Sequence, residues 1–328
     1  MANEPPVHDE FSAGDLAFTR QSAYGTVAEA TYAGALSFMR RRYSKDLSDA
    51  DVAVVGFPFD LATTSRPGAR HGPRGIRAAS AMLAWDTVWG WGFDPFERVA
   101  VIDYGDCQFD PGVPQAIPAA VENQFKKILA SDVATLMLGG DHFATYPVLR
   151  AYYEKHGPLA LVHFDAHTDT WRDTQGRIDH GTMFFHAAEQ GLIDVSRSVQ
   201  VGIRTNNPET HGFKIINADE VRASGPQRVS SAIRERVGDG PCYVTFDIDC
   251  LDPSCAPATG TPVVGGLNTG DARQILRGLA GLDVRGMDVV EVAPAYDVSE
   301  ITALAGASIA LDLLALYAAR RPDRDDQS

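Results

Sequence analysis

The chain repeats one device: a short run of β-branched and other apolar residues, then a longer segment with helical spacing. The runs are DVAVVGF (51–57), RVAVID (98–103), ATLMLGG (134–140), LALVHFD (159–165), SVQVGI (198–203), CYVTFDID (242–249) and GMDVVEV (286–292), with FKIIN (213–217) a weaker eighth. Helical spacing marks 115–130, 143–155, 181–193, 226–237 and 270–281. Strands that are apolar along their whole length are covered on both faces, and strands alternating with helices form a parallel sheet. The pattern predicts an α/β fold with a parallel sheet between two helical layers. No linker, tandem repeat or low-complexity tract divides it, so residues 46–320 are expected to form a single domain, with 1–45 an N-terminal extension and 321–328 a polar tail.

Charge narrows the partners. With 43 acidic against 29 basic side chains the formal net charge is -14, which opposes nucleic acid and anionic membrane surfaces and weakly favours a small cation. Cys107, Cys242, Cys250 and Cys255 are too few for a disulfide framework and form no C-x-x-C pair, so a reducing, cytoplasmic setting is expected. The opening MANEPPVHDEFSAGD is acidic and polar, unlike a secretory signal. The apolar stretch 301–319 has the length of a membrane span but carries Asp312 near its middle. Ser299 and Glu300 resemble a cap and a first-turn acid, so a buried terminal helix is expected there.

The polar motifs fall where apolar runs stop. GGDH (139–142), DAHTD (165–169), DIDCLD (247–252) and EVAP (291–294) each follow a predicted strand, and ligands of open α/β sheets collect beyond the carboxyl ends of strands. Alternate residues of an extended chain share one side, so Asp165, His167 and Asp169 are expected to converge, as are Asp247 and Asp249. So many carboxylates on one rim repel unless cations sit among them. Carboxylates with a minority of imidazoles suit manganese, or otherwise magnesium, cobalt or nickel, better than zinc. With His142 the set numbers six, too many for one tetrahedral ion and natural for a pair sharing bridging carboxylates. Taken singly, GGDH also reads as a turn with Asp141 capping a helix, and DID as a solvated strand end. It is their recurrence at strand ends of one chain that points to a site. His163 is expected to be a core histidine bonded to a carboxylate, Trp85, Trp89 and Trp91 to be packing, and Cys250 and Cys255 to be buried thiols.

GGDH, HFDAHTD, DHGTMF, TFDIDCLDP and GMDVVEVAPAYD, in this order, resemble the ureohydrolase (arginase and agmatinase) family over about residues 30–318. The resemblance implies an α/β/α domain around a parallel eight-stranded sheet with two manganese ions per subunit. It assigns one ion to His142, Asp165, Asp169 and Asp247, and the other to Asp165, His167, Asp247 and Asp249. It also assigns Glu291 to the guanidinium group, a planar cation that suits a carboxylate acceptor, and His180 to proton relay. The implied chemistry is attack on a guanidinium carbon by a metal-bridging hydroxide, with Asp169 passing a proton to the departing amine. The family forms trimers and hexamers, so a homo-oligomer is expected.

Within the family, DAHTDT, DHGTMF, VGIR and EVAPAYDVSEITALA most resemble the branch that cleaves agmatine to putrescine and urea. Trp171 stands where arginine-specific relatives carry an asparagine, which argues against a substrate with an α-carboxylate. A guanidino acid such as 4-guanidinobutyrate is the alternative substrate, because Arg66, Arg70, Arg172 and Arg177 lie in loops that could reach its carboxylate. A non-catalytic polyamine-binding protein on the same fold is an alternative of another class, opposed by the full set of ligand positions. Another dinuclear hydrolase, acting on a formimino group or a phosphoester, is opposed for the phosphoester by the charge of Glu291. The Gly- and Pro-rich stretches 58–73 and 258–266 are expected to flank the rim.

Overall fold

The computed structural model describes residues 31–84 and 88–322. Eight strands, β1 (Val52–Phe57), β2 (Val101–Asp106), β3 (Ala134–Gly139), β4 (Ala160–Phe164), β5 (Val199–Ile203), β6 (Lys214–Asn217), β7 (Pro241–Asp247) and β8 (Asp283–Val290), form one sheet in the order β2-β1-β3-β8-β7-β4-β5-β6. Every pairing is parallel. The weak run FKIIN supplies the edge strand β6, as its length and polarity suggest.

Nine helices among the described residues complete the fold: α1 (Gly72–Ser80), α2 (Pro95–Arg98), α3 (Ile117–Leu129), α4 (Thr145–His156), α5 (Met183–Glu189), α6 (Ala218–Ser224), α7 (Pro226–Val237), α8 (Thr269–Gly278) and α9 (Ile301–Ala318). Alternate residues of β1 enter opposite cores. Val52 and Val54 belong to one core with Ile76, Ile275 and Ile309 of α1, α8 and α9, whereas Ala53 and Val55 belong to the other with Phe125, Leu149 and Phe184 of α3, α4 and α5. The strands are continuously apolar for this reason. α5 is shorter than the predicted 181–193, since residues 179–182 form a turn in which Asp179 N donates to Thr182 Oγ1 at 2.9 Å.

α9 is the one helix among the described residues long and apolar enough to cross a membrane, with mean hydropathy 1.8, and 83% of it is buried inside the protein. Asp312 in its middle is bound by Trp91 Nε1 at 2.7 Å and by the Arg273 guanidinium. Trp91 therefore packs as expected. Trp89, by contrast, is 84% exposed, and Trp85 lies outside the described residues. The cap of α9 also differs from the expectation. Ser299 and Glu300 both adopt left-handed backbone and offer no side-chain cap, and it is the Asp297 carboxylate that accepts from Thr302 N at 3.0 Å and Ala303 N at 2.9 Å. All four cysteines are free, and Cys255 is only partly buried.

Candidate metal centre and substrate pocket

The four central strands, β3, β8, β7 and β4, are neighbours in the sheet, and they are the four that end in GGDH, EVAP, DIDCLD and DAHTD. Their carboxyl ends therefore deliver the acids and imidazoles to one place. The end of β3 must squeeze between its neighbours. Gly140 N donates to Phe57 O, Gly140 O accepts from Glu291 N, and a Cβ on Gly140 would lie 1.7 Å from Phe59 O. Only glycine allows the approach that sets Asp141 and His142 in position. Asp141 does not cap the following turn; its carboxylate accepts from Ala62 N at 2.8 Å and ties the 58–73 loop to the rim.

Asp165, His167 and Asp169 converge, but by a different route from the one predicted. β4 ends at Phe164, and the Asp165 side chain then accepts from His167 N at 2.6 Å, closing a turn. Asp169 reaches the site through left-handed backbone, φ 52°. Asp247 repeats the turn, accepting from Asp249 N at 2.8 Å. Short acidic side chains capture the amide two residues on, and this local bond wins over continued strand.

Hydrogen bonds settle which ring nitrogens are free. Thr245, Tyr243 and Thr145 each direct a hydroxyl at the buried Asp288 carboxylate, at 2.6, 2.8 and 2.9 Å. With its proton given to Asp288, Thr245 Oγ1 accepts from His142 Nε2 at 2.8 Å. His142 Nδ1 is thus the nitrogen left for a proton or a cation, and it faces Asp165 Oδ2, Asp169 Oδ2 and Asp247 Oδ2 at 3.0, 3.0 and 3.2 Å. It is a buried nitrogen with no hydrogen-bond partner. A second convergence lies alongside, where His167 Nδ1 stands 3.3 Å from Asp165 Oδ1 and 3.1 Å from Asp249 Oδ2.

His163 is close enough to join the first group, yet both its nitrogens are engaged. Gln200 Nε2 donates to its Nδ1 at 3.0 Å, and its Nε2 donates to Asp165 Oδ2 at 2.8 Å. It is the core histidine that the sequence suggests.

Glu291 sits after β8 in left-handed backbone, φ 63°, a conformation that costs a non-glycine residue about 1–3 kcal/mol and marks functional sites. Its Oε1 accepts from His142 N and from His180 Nδ1, both at 2.9 Å. Its Oε2 is buried and has no partner. Gly260 leaves space beside it, since a Cβ there would lie 3.3 Å from Oε2. His180 feels opposed influences. Burial lowers its pKa while Glu291 raises it, the result being about 9, whereas Thr64 N donates to Nε2 at 2.9 Å. A ring that accepts a backbone N–H is neutral there, so this geometry holds the proton on Nδ1.

The charges make the cluster costly on its own. Burial, then Asp249 and Asp165, pushes Asp247 well above the usual carboxylate range, and burial and neighbouring acids also raise Asp169 and Asp249. Asp165 goes the other way, held well below that range against burial by His163 and the other imidazoles. Asp249 and Asp165 drive the His167 pKa up to about 12 despite its burial. Lone pairs of two imidazoles aimed at carboxylate oxygens have nothing to share unless a proton or a cation stands between them. The donor set, oxygens with two nitrogens and no sulfur, fits divalent cations at both convergences.

A cavity of about 380 Å³ opens onto this centre, lined by Thr64, His167, Asp169, Trp171, His180 and Thr261 among others. Thr64 and Thr261 belong to the two loops expected at the rim. Sequence reasoning did not single out Asp288, Thr245 and Gln200. Their only signals are a carboxylate inside the apolar run GMDVVEV and an amide inside SVQVGI.

A parallel α/β sheet presenting paired carboxylate-imidazole convergences at its carboxyl edge defines a metal-dependent enzyme class. Residues 50–315 match the model of the arginase family, and the chain belongs to that family. An agmatinase of Chromobacterium violaceum is 56% identical over 94% of this chain and 96% of its own length. An agmatinase of Proteus mirabilis is 52% identical over 84% of this chain and 90% of its own. Among solved structures, a hypothetical agmatinase from Burkholderia thailandensis superposes with a TM-score of 0.92 at 54% identity, covering 94% of this chain and 98% of that one. The proclavaminate amidino hydrolase of Streptomyces clavuligerus gives 0.85 at 39% identity, over 89% of this chain and 99% of that one.

Proposed function

We propose that this chain hydrolyses agmatine to putrescine and urea, with a pair of divalent cations held by His142, Asp165, Asp169 and Asp247 and by Asp165, His167, Asp247 and Asp249. The observation that carries the reading is the partnerless, buried Oε2 of Glu291 beside that donor set. A buried anionic oxygen without a donor calls for a cationic N–H, and a guanidinium supplies it.

A guanidinium spreads its charge by resonance and is a poor electrophile, so it must be held rigidly against a strong nucleophile. Cations held in this donor set, manganese in our reading, would ionise water near neutral pH and so supply that nucleophile. Glu291 Oε2 accepts the guanidinium N–H groups and fixes the plane of attack, while its Oε1 is immobilised by His142 N and His180 Nδ1. Once such a nucleophile adds to the guanidinium carbon, Asp169 would carry its proton to the alkyl nitrogen as the carbon–nitrogen bond breaks. His180 relays the remaining proton to solvent, its Nε2 giving up the Thr64 N–H in order to take it.

The pocket also bears on 4-guanidinobutyrate. Arg70 is paired with Asp60, Arg172 with Glu209 and Arg177 with Asp173, and Arg66 lies over the Tyr296 ring. None of the four lines the cavity. The test is turnover of agmatine, 4-guanidinobutyrate and arginine by manganese-loaded protein, with metal content measured on the same sample. Preference for agmatine supports the reading, and preference for either acid overturns it; urea release by none would favour the polyamine-binding alternative. A cytoplasmic homo-oligomer, trimer or hexamer, completes the proposal, together with 46–320 as one catalytic domain.

A further inference from the structure

We infer that Asp179 and Trp171 recognise the free ammonium end of the substrate; the inference rests on the agmatine reading above. Both residues line the cavity that also reaches Asp169 and His180, and it is His180 that donates to the Glu291 carboxylate. Asp179 is chain neighbour to His180, which fixes Glu291. Its carboxylate is oriented: Oδ1 accepts from Gly181 N at 3.0 Å, and the backbone N of Asp179 donates to Thr182 Oγ1 at 2.9 Å. Oδ2 accepts no hydrogen bond and no cation pairs with Asp179 among the described residues. Trp171 is clamped to the same turn, donating its backbone N to Gly181 O at 3.0 Å. Its ring comes within 3.9 Å of the point where a Cβ on Gly181 would stand, and it is 49% exposed.

A half-exposed indole beside a fixed carboxylate oxygen is the pairing an alkylammonium needs. The carboxylate supplies a charged acceptor and the ring face a cation–π surface. The same pair repels a carboxylate, so it discriminates against guanidino acids as well as binding the amine. A four-methylene chain separates the two cations of agmatine, so a dication needs two anionic anchors, and Glu291 and Asp179 provide the two.

The experiment compares agmatine with 1-butylguanidine, which lacks the terminal amine, on manganese-loaded wild type, Asp179→Asn and Trp171→Leu. Asparagine keeps the Oδ1 acceptor for Gly181 N, so the turn is retained. The expected result is a wild-type preference for agmatine in kcat/KM that falls by roughly tenfold to a hundredfold in Asp179→Asn. The loss is expected in KM rather than kcat, with a smaller fall in Trp171→Leu. Asp179→Arg is expected to shift relative kcat/KM toward 4-guanidinobutyrate, a gain that misfolding does not produce. An undiminished preference in Asp179→Asn overturns the inference and leaves the agmatine reading intact, as does a wild type that handles both substrates equally. A wild type inactive on agmatine overturns that reading instead.

Discussion

Burying a carboxylate oxygen without a donor costs on the order of 1–3 kcal/mol or more, and Glu291 Oε2 bears that cost in the substrate-free protein. The residue holds its place because Oε1 is satisfied twice, by His142 N and His180 Nδ1. Replacing Glu291 by glutamine keeps size and one acceptor but removes the charge. It is expected to lower kcat/KM for agmatine by roughly 100-fold while leaving bound metal unchanged, as steady-state kinetics with metal analysis would measure. Loss of metal in that variant would instead make Glu291 part of the ion site. The residue types at the site were legible in the sequence because each follows a continuous apolar run. Their bonding was not. His142 is oriented by Thr245 and through it by Asp288, positions 103 and then 43 apart in the chain. A pattern of residue types carries no record of which distant hydroxyl faces which ring.

At the scale of elements, strand ends place the chemistry and short turns aim it. The sheet order puts β3, β8, β7 and β4 side by side, and continuous hydrophobicity marked all four as buried strands. Their exits were harder to foresee, because an Asx turn and one more strand residue both bring alternate side chains together. Asp165 and Asp247 decide the matter by bonding the amide two residues on. Helix starts follow the same logic. SEIT at 299–302 looks like a cap, yet the left-handed backbone of Ser299 and Glu300 turns their side chains away and leaves Asp297 to bind two amides of α9. Asp297→Ala is therefore expected to cost about 1 kcal/mol, up to about 2, in unfolding free energy. Ser299→Ala is expected to change it by less than about 0.5 kcal/mol. Chemical denaturation of the two variants side by side distinguishes them, and equal losses would return the cap to Ser299.

For the whole molecule, the metal centre couples folding, charge and pH. Four strands meet where buried carboxylates repel one another, so the metal-free protein must hold protons there instead of cations. His142 lies well above its ordinary pKa, against its burial, because Asp165, Asp169 and Asp247 face it. His167 rises from 6.5 to about 12, burial opposing and Asp249 and Asp165 prevailing. A raised folded pKa stabilises the metal-free protein fully below the unfolded value and loses that contribution as pH climbs through the folded value. For His167 the window runs from 6.5 to about 12. Cations need the deprotonated rings, so they compete with these protons and their binding must release them. Manganese affinity is then expected to rise with pH from about 6.5 toward the His167 value of about 12, with protons released on loading. The increase in Tm on loading should grow over the same interval, by the linkage between ligand binding and stability. Calorimetric titration in buffers of different ionisation enthalpy counts the protons, and scanning calorimetry of metal-free and loaded protein gives the Tm increments. A pH-independent affinity with no proton release would mean that both imidazoles are already neutral in the metal-free site, and that hydrogen bonds from Thr245 and the surrounding turns, rather than exchangeable protons, hold the carboxylates apart.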